Sequence, residues 1–393
     1  LISPYHGGSR VKIPNCKIEN LNILPKIQID EQTLITLSLL KIGILSPLDS
    51  FQGYEEAMEI SREGRMENGL VWSMPVLLPV TDEESYTFSE GDETTLHFSD
   101  KLVALMKIEE KFSLDMYEYC NRIFGTTSID HPGVKAILQK GNKFVSGHIK
   151  GINNYNTHFS TMQPDPDKLR GLFNKKGFKT VTAFQTRNPP HRGHEFLHKY
   201  SLLSTDALFI NPVLGPKKSG DFSDQEIFQS YQVYLDKYLP KQRTILLPLI
   251  YAMQYAGPRE AIMHMIMRKN LGCTHFVIGR DHAGVGSFYG PYAARDYVST
   301  FTDIGIEPVF LKEAYYCKAC TEISNDDICP HDDSQKSHFS GTKIRDAFLH
   351  KREPYPYEMR GEIYNKIIEL RSSKQNTVET LDKLEINLSN PLE

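Results

Sequence analysis

The chain has 393 residues, 45 of them Lys or Arg and 49 Asp or Glu, for a formal net charge of −4. At about 100–200 residues per domain, this length predicts two or three domains, each able to bury its own core. Hydrophobic residues at 40% and charged residues at 24% exclude a disordered chain, the slight acidic excess argues against a duplex-binding surface, and no apolar run nears the roughly 18 residues of a membrane span.

In chain order, residues 30–40 and 54–63 are expected to be helical. Residues 70–80, 101–108 and 143–149 are rich in β-formers and are expected to be strands. Together they predict a compact β-barrel-like unit with a few helices. Met162-Gln163-Pro164-Asp165-Pro166-Asp167 then reads as an extended linker, because its two prolines disfavour helix. Beyond it the rhythm changes. Short apolar runs at 180–184, 207–211, 244–249, 275–279 and 307–311 alternate with helical stretches at 189–204, 224–239 and 258–270. Continuous apolar strands separated by helices indicate an α/β unit, a doubly wound parallel sheet covered on both faces. Its ligands belong beyond the carboxyl ends of the strands, so the residues after Phe184, Asn211, Leu249 and Gly279 are candidates. The expected division is 1–165 (β-rich), 166–315 (parallel sheet) and 316–393, a small α/β region with a possible metal loop and helices.

The strongest motif follows the first strand of the parallel sheet: Gln185-Thr186-Arg187-Asn188-Pro189-Pro190-His191-Arg192-Gly193-His194. Asn188 suits an N-cap and Pro189 the first helical position, so a helix start is expected there. Free N–H groups and the positive dipole end favour an anion at such a point. His191 and His194, spaced i and i+3, share one face of the opening turn, and Gly193 is expected to let a ligand approach the backbone. The pattern suits a phosphate whose charge grows during reaction.

This run resembles the HxGH signature of nucleotidyl transferases, and in full it is similar to the ATP sulfurylase family. Tyr255-Ala256-Gly257-Pro258-Arg259-Glu260-Ala261, Gly279-Arg280-Asp281-His282-Ala283-Gly284 and Ser340-Gly341-Thr342-Lys343-Ile344-Arg345 resemble further family segments, in the expected order. Weaker matches begin at Ser46 and His131. The resemblance implies conversion of ATP and sulfate to adenosine 5′-phosphosulfate and diphosphate, with Mg2+ accompanying ATP. It implies Gln185, Arg187 and the backbone of Ala283 as sulfate contacts. Thr186 and Asn188 are implied as phosphate ligands, and His191 and His194 as stabilisers of the transition state. The nucleotide is implied to lie against Gly279, Arg280, Asp281 and His282. Lys343 and Arg345, two cations in a helix's first turns, become candidate phosphate contacts. One departure is Gln254, where the family commonly has Arg; Arg259 or Lys217-Lys218 are expected to compensate. The aromatic-rich first unit resembles the PUA-like barrel that RNA-modifying enzymes use. Without a basic patch it is expected to serve as a structural cover for the site rather than to bind nucleic acid.

Six cysteines are too sparse for a disulfide scaffold. Cys16, Cys120 and Cys273 read as small buried hydrophobes, while Cys317-x2-Cys320-x8-Cys329-x-His331 offers a workable tetrahedral zinc set, with His338 as a competing fourth ligand. No GxxxxGK[ST] loop is present, so a fused sulfate-activating kinase is not expected. Without a basic-then-apolar opening segment, the expected location is cytoplasmic. Assembly with copies of itself is expected, with subunit number open, as is the direction in which the cell runs the reaction. Two other readings remain: an HxGH adenylyltransferase with a different acceptor, and a non-enzymatic RNA-binding module.

Overall fold

The computed structural model describes residues 2–15, 24–154, 162–216, 220–339, 341–350 and 352–375. Cys16, Lys217, Lys218 and Ser340 therefore lie outside the described residues. The first elements are β1 (Lys26–Gln28), α1 (Glu31–Lys41), β2 (Ser50–Phe51), α2 (Tyr54–Glu63), β3 (Leu78–Pro79), α3 (Asp82–Ser85), β4 (Glu93–Phe98), β5 (Lys101–Ser113), α4 (Met116–Phe124), α5 (Pro132–Leu138) and β6 (Lys143–Ile152). They form a six-stranded sheet in the order β1-β4-β5-β6-β2, with β3 also on β6. The two predicted helices form where local signals are strong. Asp30 caps α1 by accepting the Thr33 N–H, and α2 stops at Gly64, whose φ of +69° suits a residue without Cβ. The expected strand at 70–80 shrinks to Leu78–Pro79. Pro75 and Pro79 carry no N–H, the Trp72 N–H donates to the Gly64 carbonyl, and the Val76 N–H donates to the Gln52 side chain.

The expected linker turns helical at its last two residues. Asp165 accepts the Lys168 N–H at 3.1 Å, and Pro166 opens α6 (Pro166–Lys175), because fixed φ favours the first helical position. There follow β7 (Val181–Phe184), α7 (Arg192–Ser204), β8 (Ala207–Ile210), β9 (Val213–Leu214), α8 (Asp224–Tyr238), β10 (Thr244–Leu246), β11 (Leu249–Ile250), α9 (Pro258–Asn270), β12 (His275–Ile278), α10 (Ala293–Val298) and β13 (Glu307–Phe310). Five strands pair in parallel in the order β10-β8-β7-β12-β13. The predicted run 244–249 breaks before Pro248, and its end pairs with β9 as a separate ribbon. The chain leaves β7 for β8 on one side and later returns to β12 on the other, so the strand order reverses at β7. A crevice opens at such a point, beyond the strand ends.

The last part holds a three-stranded antiparallel sheet of β14 (Tyr315–Cys317), β15 (Glu322–Ser324) and β16 (Lys336–His338), then α11 (Gly341–Leu349) and α12 (Gly361–Gln375). Arg360 grips Glu195 of α7 through two bonds of 2.8 and 2.9 Å. Arg371 reaches Glu226 of α8 at 2.6 Å. These pairs tie the last helix to the parallel-sheet unit. The first sheet is fastened to the same unit by Arg259, which donates to the carbonyls of Ile60, Ser73 and Ser61 at 3.0, 2.9 and 2.6 Å. Arg259 is thus committed to that junction and does not compensate for Gln254. No helix among the described residues is long and apolar enough to cross a membrane.

Candidate active site

A cleft of about 810 Å3 lies beyond β7 and β12, a size suited to a nucleotide and a small co-substrate. Three of the four strand ends singled out from the sequence reach it: those after Phe184 and at Gly279, and the one after Leu249 through Met253. The end after Asn211 does not; Asn211 is buried and its amide donates to the Leu247 carbonyl at 2.6 Å. Gln185, Thr186, Arg187, Asn188, His191, His194, Gly279, Arg280, Asp281, His282, Ala283 and Arg345 all face the cleft. Lys343 is not among its lining residues and donates to the His338 carbonyl at 3.3 Å.

The helix start differs from the expectation. α7 is capped by His191, not Asn188, and Pro189 is outside the helix. Pro190 disfavours helical geometry at the residue before it, so the double proline delays the helix by three positions. The His191 ring accepts the His194 backbone N–H on Nδ1 at 3.3 Å. A neutral His191 consequently carries its proton on Nε2. The His191 and His194 rings stack with centroids 3.7 Å apart. Burial holds His191 down at about 4, and burial with two neighbouring histidines holds His194 well below the usual range. Both are neutral N–H donors at pH 7, and neither is a cation. Gly193 lines the cleft, as expected, and also makes room for its neighbours: a Cβ there would meet the Phe339 ring at 2.9 Å and the His191 ring at 3.1 Å.

Arg187 lies over the Tyr255 ring at 4.8 Å, a cation–π contact that holds its guanidinium in the cleft. The Gln185 amide lies 2.9 Å from His264 Nδ1, which is itself 3.1 Å from His282 Nε2. Asn188 Oδ1 accepts from Arg345 at 3.1 Å, and Arg345 also lies 3.5 Å from Asp221. Arg280 pairs with Glu313 at 3.0 Å rather than with its neighbour Asp281. Left-handed backbone clusters here: Tyr255, Gly257, Asp281 and Ala283 have φ of 62°, 51°, 53° and 55°. Non-glycine residues hold that conformation only when their surroundings impose it. The surroundings are visible: the Gly257 N–H donates to the Ala283 carbonyl at 3.1 Å, and His131 of the first unit bonds the Tyr255 carbonyl and the Tyr289 hydroxyl, each at 3.1 Å. Gln254 faces away, into a separate cavity lined by Lys140, Pro132 and Gly133.

Sequence reasoning placed α9 but missed its buried polar stripe. Its Glu260, His264 and Arg268 stand at i, i+4 and i+8, and all three are 0% exposed. Glu260 accepts the N–H groups of Gln254 and Ala256 at 2.8 and 3.1 Å, and burial raises it to about 7. A polar stripe at helical spacing inside an otherwise apolar helix was the available signal.

Away from the cleft, Cys317, Cys320, Cys329 and His331 place one ligand atom each within 4.8 Å of one another. His331 Nδ1 lies 3.4, 3.3 and 3.5 Å from the three sulfurs, and Cys320 and Cys329 sulfurs are 3.8 Å apart. Zinc–ligand bonds of about 2.0–2.3 Å in a tetrahedron demand ligand separations of roughly 3.5–3.8 Å, so this donor set fits. His338 is engaged elsewhere, 3.4 Å from Glu313.

Comparison with known proteins accords with this geometry. Residues 160–370 match the family model described as ATP-sulfurylase, and residues 11–154 match that of a PUA-like domain. A sulfate adenylyltransferase of Pyrococcus abyssi is 41% identical over 373 residues, covering 93% of this chain and 98% of that protein. One of Halothermothrix orenii is 38% identical over 370 residues, covering 91% and 96%. Among solved structures, the hexameric APS kinase from Thiobacillus denitrificans shares the fold with a TM-score of 0.73 at 18% identity, over 94% of this chain and 68% of that one. The parallel sheet that reverses at β7, the cleft beyond it and these matches over nearly the whole chain lead to one conclusion: the chain belongs to the ATP-sulfurylase family.

Proposed function

We propose that this chain transfers the adenylyl group of ATP to sulfate, forming adenosine 5′-phosphosulfate and releasing diphosphate. The observation that carries this reading is one cleft bringing together Arg187 with Gln185, the paired His191 and His194, and the Gly279–Ala283 turn. Sulfate is a weak nucleophile, so the work lies in alignment and in stabilising charge on the α-phosphate. Arg187 and Gln185, with the backbone of Ala283, hold sulfate. An oxygen of sulfate then forms a bond to the α-phosphorus in line with the bond to the bridging oxygen. That second bond breaks, and diphosphate leaves with its electron pair. His191, His194, Thr186 and Asn188 donate hydrogen bonds to the phosphate oxygens as charge grows. Gly279, Arg280, Asp281 and His282 face the nucleotide, which enters as its Mg2+ complex. Arg345 supports the phosphates through Asn188, and Lys343 is at most an outer contact.

The Cys317, Cys320, Cys329 and His331 set would hold one zinc as a closed structural site, supplying cross-linking rather than chemistry. We read residues 1–165 as a PUA-like cover, 166–315 as the catalytic unit and 316–393 as the C-terminal region. A cytoplasmic location, self-assembly and no nucleic-acid partner complete the proposal; the buried free thiols of Cys120 and Cys273 suit a reducing compartment. The test is exchange of labelled diphosphate into ATP. Exchange that requires sulfate is the expected outcome. Exchange that proceeds without sulfate but requires another acceptor would replace the assignment by an adenylyltransferase of different specificity, and no nucleotide chemistry at all would leave the non-enzymatic reading.

A further inference from the structure

His191 is held in the Nε2–H form by its own helix cap; the His194 ring caps no backbone N–H in this way, and the backbone group beside it is the Pro189 carbonyl, which accepts whichever N–H faces it. The Nδ1 of His194 faces the hydroxyl of Tyr231 at 3.2 Å. Tyr231 is on α8 and is fully buried, and the Thr186 hydroxyl near it donates to the Asn188 carbonyl at 3.1 Å. We propose that Tyr231 is a positioning residue: its hydroxyl donates to Nδ1 of His194 and thereby fixes the Nε2–H form of that ring, the form that presents a donor to the phosphate. This inference rests on the adenylyl-transfer reading.

Three facts about the contact lead there. A buried phenol must direct its proton to some acceptor, and an imidazole sp2 nitrogen is a better acceptor than the Thr186 hydroxyl. Burial raises the Tyr231 hydroxyl well above its ordinary range, so it stays protonated and available as a donor. The His194 ring is neutral, so it has one N–H to place. With Nδ1 accepting, that proton sits on Nε2. In the opposite form Nε2 would aim a lone pair at an anion. The ring has little room to rotate away, being stacked on His191 at 3.7 Å and packed edge-on against Phe184 at 5.1 Å. A tyrosine on the next helix of the chain thus decides what the second motif histidine offers.

The experiment uses the full-length protein and the variant Tyr231→Phe, which removes one oxygen and keeps the buried ring. With ring-15N histidine, the His194 signals are assigned by comparison with His194→Gln. The parent should show Nε2 protonated and Nδ1 bare. In Tyr231→Phe the His194 signals should move toward the Nδ1–H form. Turnover should fall about 10- to 100-fold, short of the 10²–10³ expected for losing the donor altogether, with KM for ATP and for sulfate nearly unchanged. A parent spectrum with the proton on Nδ1 would overturn the proposal, and so would a folded Tyr231→Phe enzyme with parental kcat. Failure of the parent to show sulfate-dependent exchange would instead remove the functional reading, while the ring spectrum still reports on the contact itself.

Discussion

Arg187 and a lysine in its place differ by geometry more than by charge. The guanidinium is planar and lies over the Tyr255 ring, which leaves its fork of N–H donors to grip two oxygens of a tetrahedral dianion. An ammonium keeps the charge but loses the fork and most of the stacking. Arg187→Lys should therefore raise KM for sulfate and lower turnover in a folded protein; sulfate saturation identical to the parent would show that the grip is not at this residue. His194 is a different case, because it is neutral and acts only through a directed N–H. His194→Ala should lower kcat by on the order of 10²–10³ while raising KM for ATP much less, since the donor matters most when charge develops. Steady-state kinetics on a variant with a parental circular dichroism spectrum decides this. At this scale the motif residues were legible from sequence by type and spacing. The cap was not, because the effect of Pro190 on Pro189 outweighs Asn188's preference for the capping position.

At the scale of elements, the three-stranded sheet of β14, β15 and β16 has few apolar residues to hold it; Cys317 ends β14, and Cys320, Cys329 and His331 lie in the connections between its strands. Phe339, one residue beyond β16, stacks on the His191 ring at 5.8 Å and fills the space that Gly193 leaves. A metal bound by the four donors would hold that strand, and through it the ring that backs His191. Metal analysis of protein purified under reducing, zinc-supplemented conditions should find about one zinc per chain. Chelation should weaken ATP binding more than sulfate binding, because the ring carried just beyond this sheet stacks on His191; protein that carries no metal would mean that the cysteines are ordinary loop thiols. Element boundaries were read well wherever a cap or a left-handed glycine marks them, as at Tyr54–Glu63 and Pro258–Asn270. They failed at residues 70–80, where the backbone pairs with neighbouring loops that only the folded chain brings near.

For the whole molecule, the many buried histidines set how stability responds to pH. Burial lowers His6 and His191 to about 4 and His198 and His282 to about 3, and holds His194 and His264 well below the usual range. In the unfolded chain each titrates near 6.5. Between about 6.5 and 4 the unfolded state therefore binds more protons than the folded one, and stability falls as pH falls through that window. Glu260 opposes this, because its raised value of about 7 makes the folded state the better proton binder between roughly 4.5 and 7. Glu56 and Asp281, also raised by burial, act in the same sense; three carboxyls do not offset six imidazoles, so the urea midpoint should drop steadily from pH 6.5 toward pH 4. A midpoint that stays level or rises over that range would mean that these rings are not held neutral.

The sequence by itself determined the alternation of strands and helices, the motif at the end of β7, the second motif at the end of β12 and the Cys/His set. Each of these is written in local pattern: apolar runs of strand length, capping and turn residues, and ligand spacing. Only the tertiary structure decided that β7 and β12 are neighbours, which brings Arg187 and Ala283 into one cleft although 95 residues lie between them. It also decided that His191 and not Asn188 begins α7, that Arg259 is spent on the junction with the first sheet, and that Gln254 turns away from the cleft. The physical reason is common to all of these. Strand pairing, competition among acceptors for one guanidinium, and the burial of a polar stripe on α9 depend on groups far apart in the chain, and no local pattern records which of them will meet.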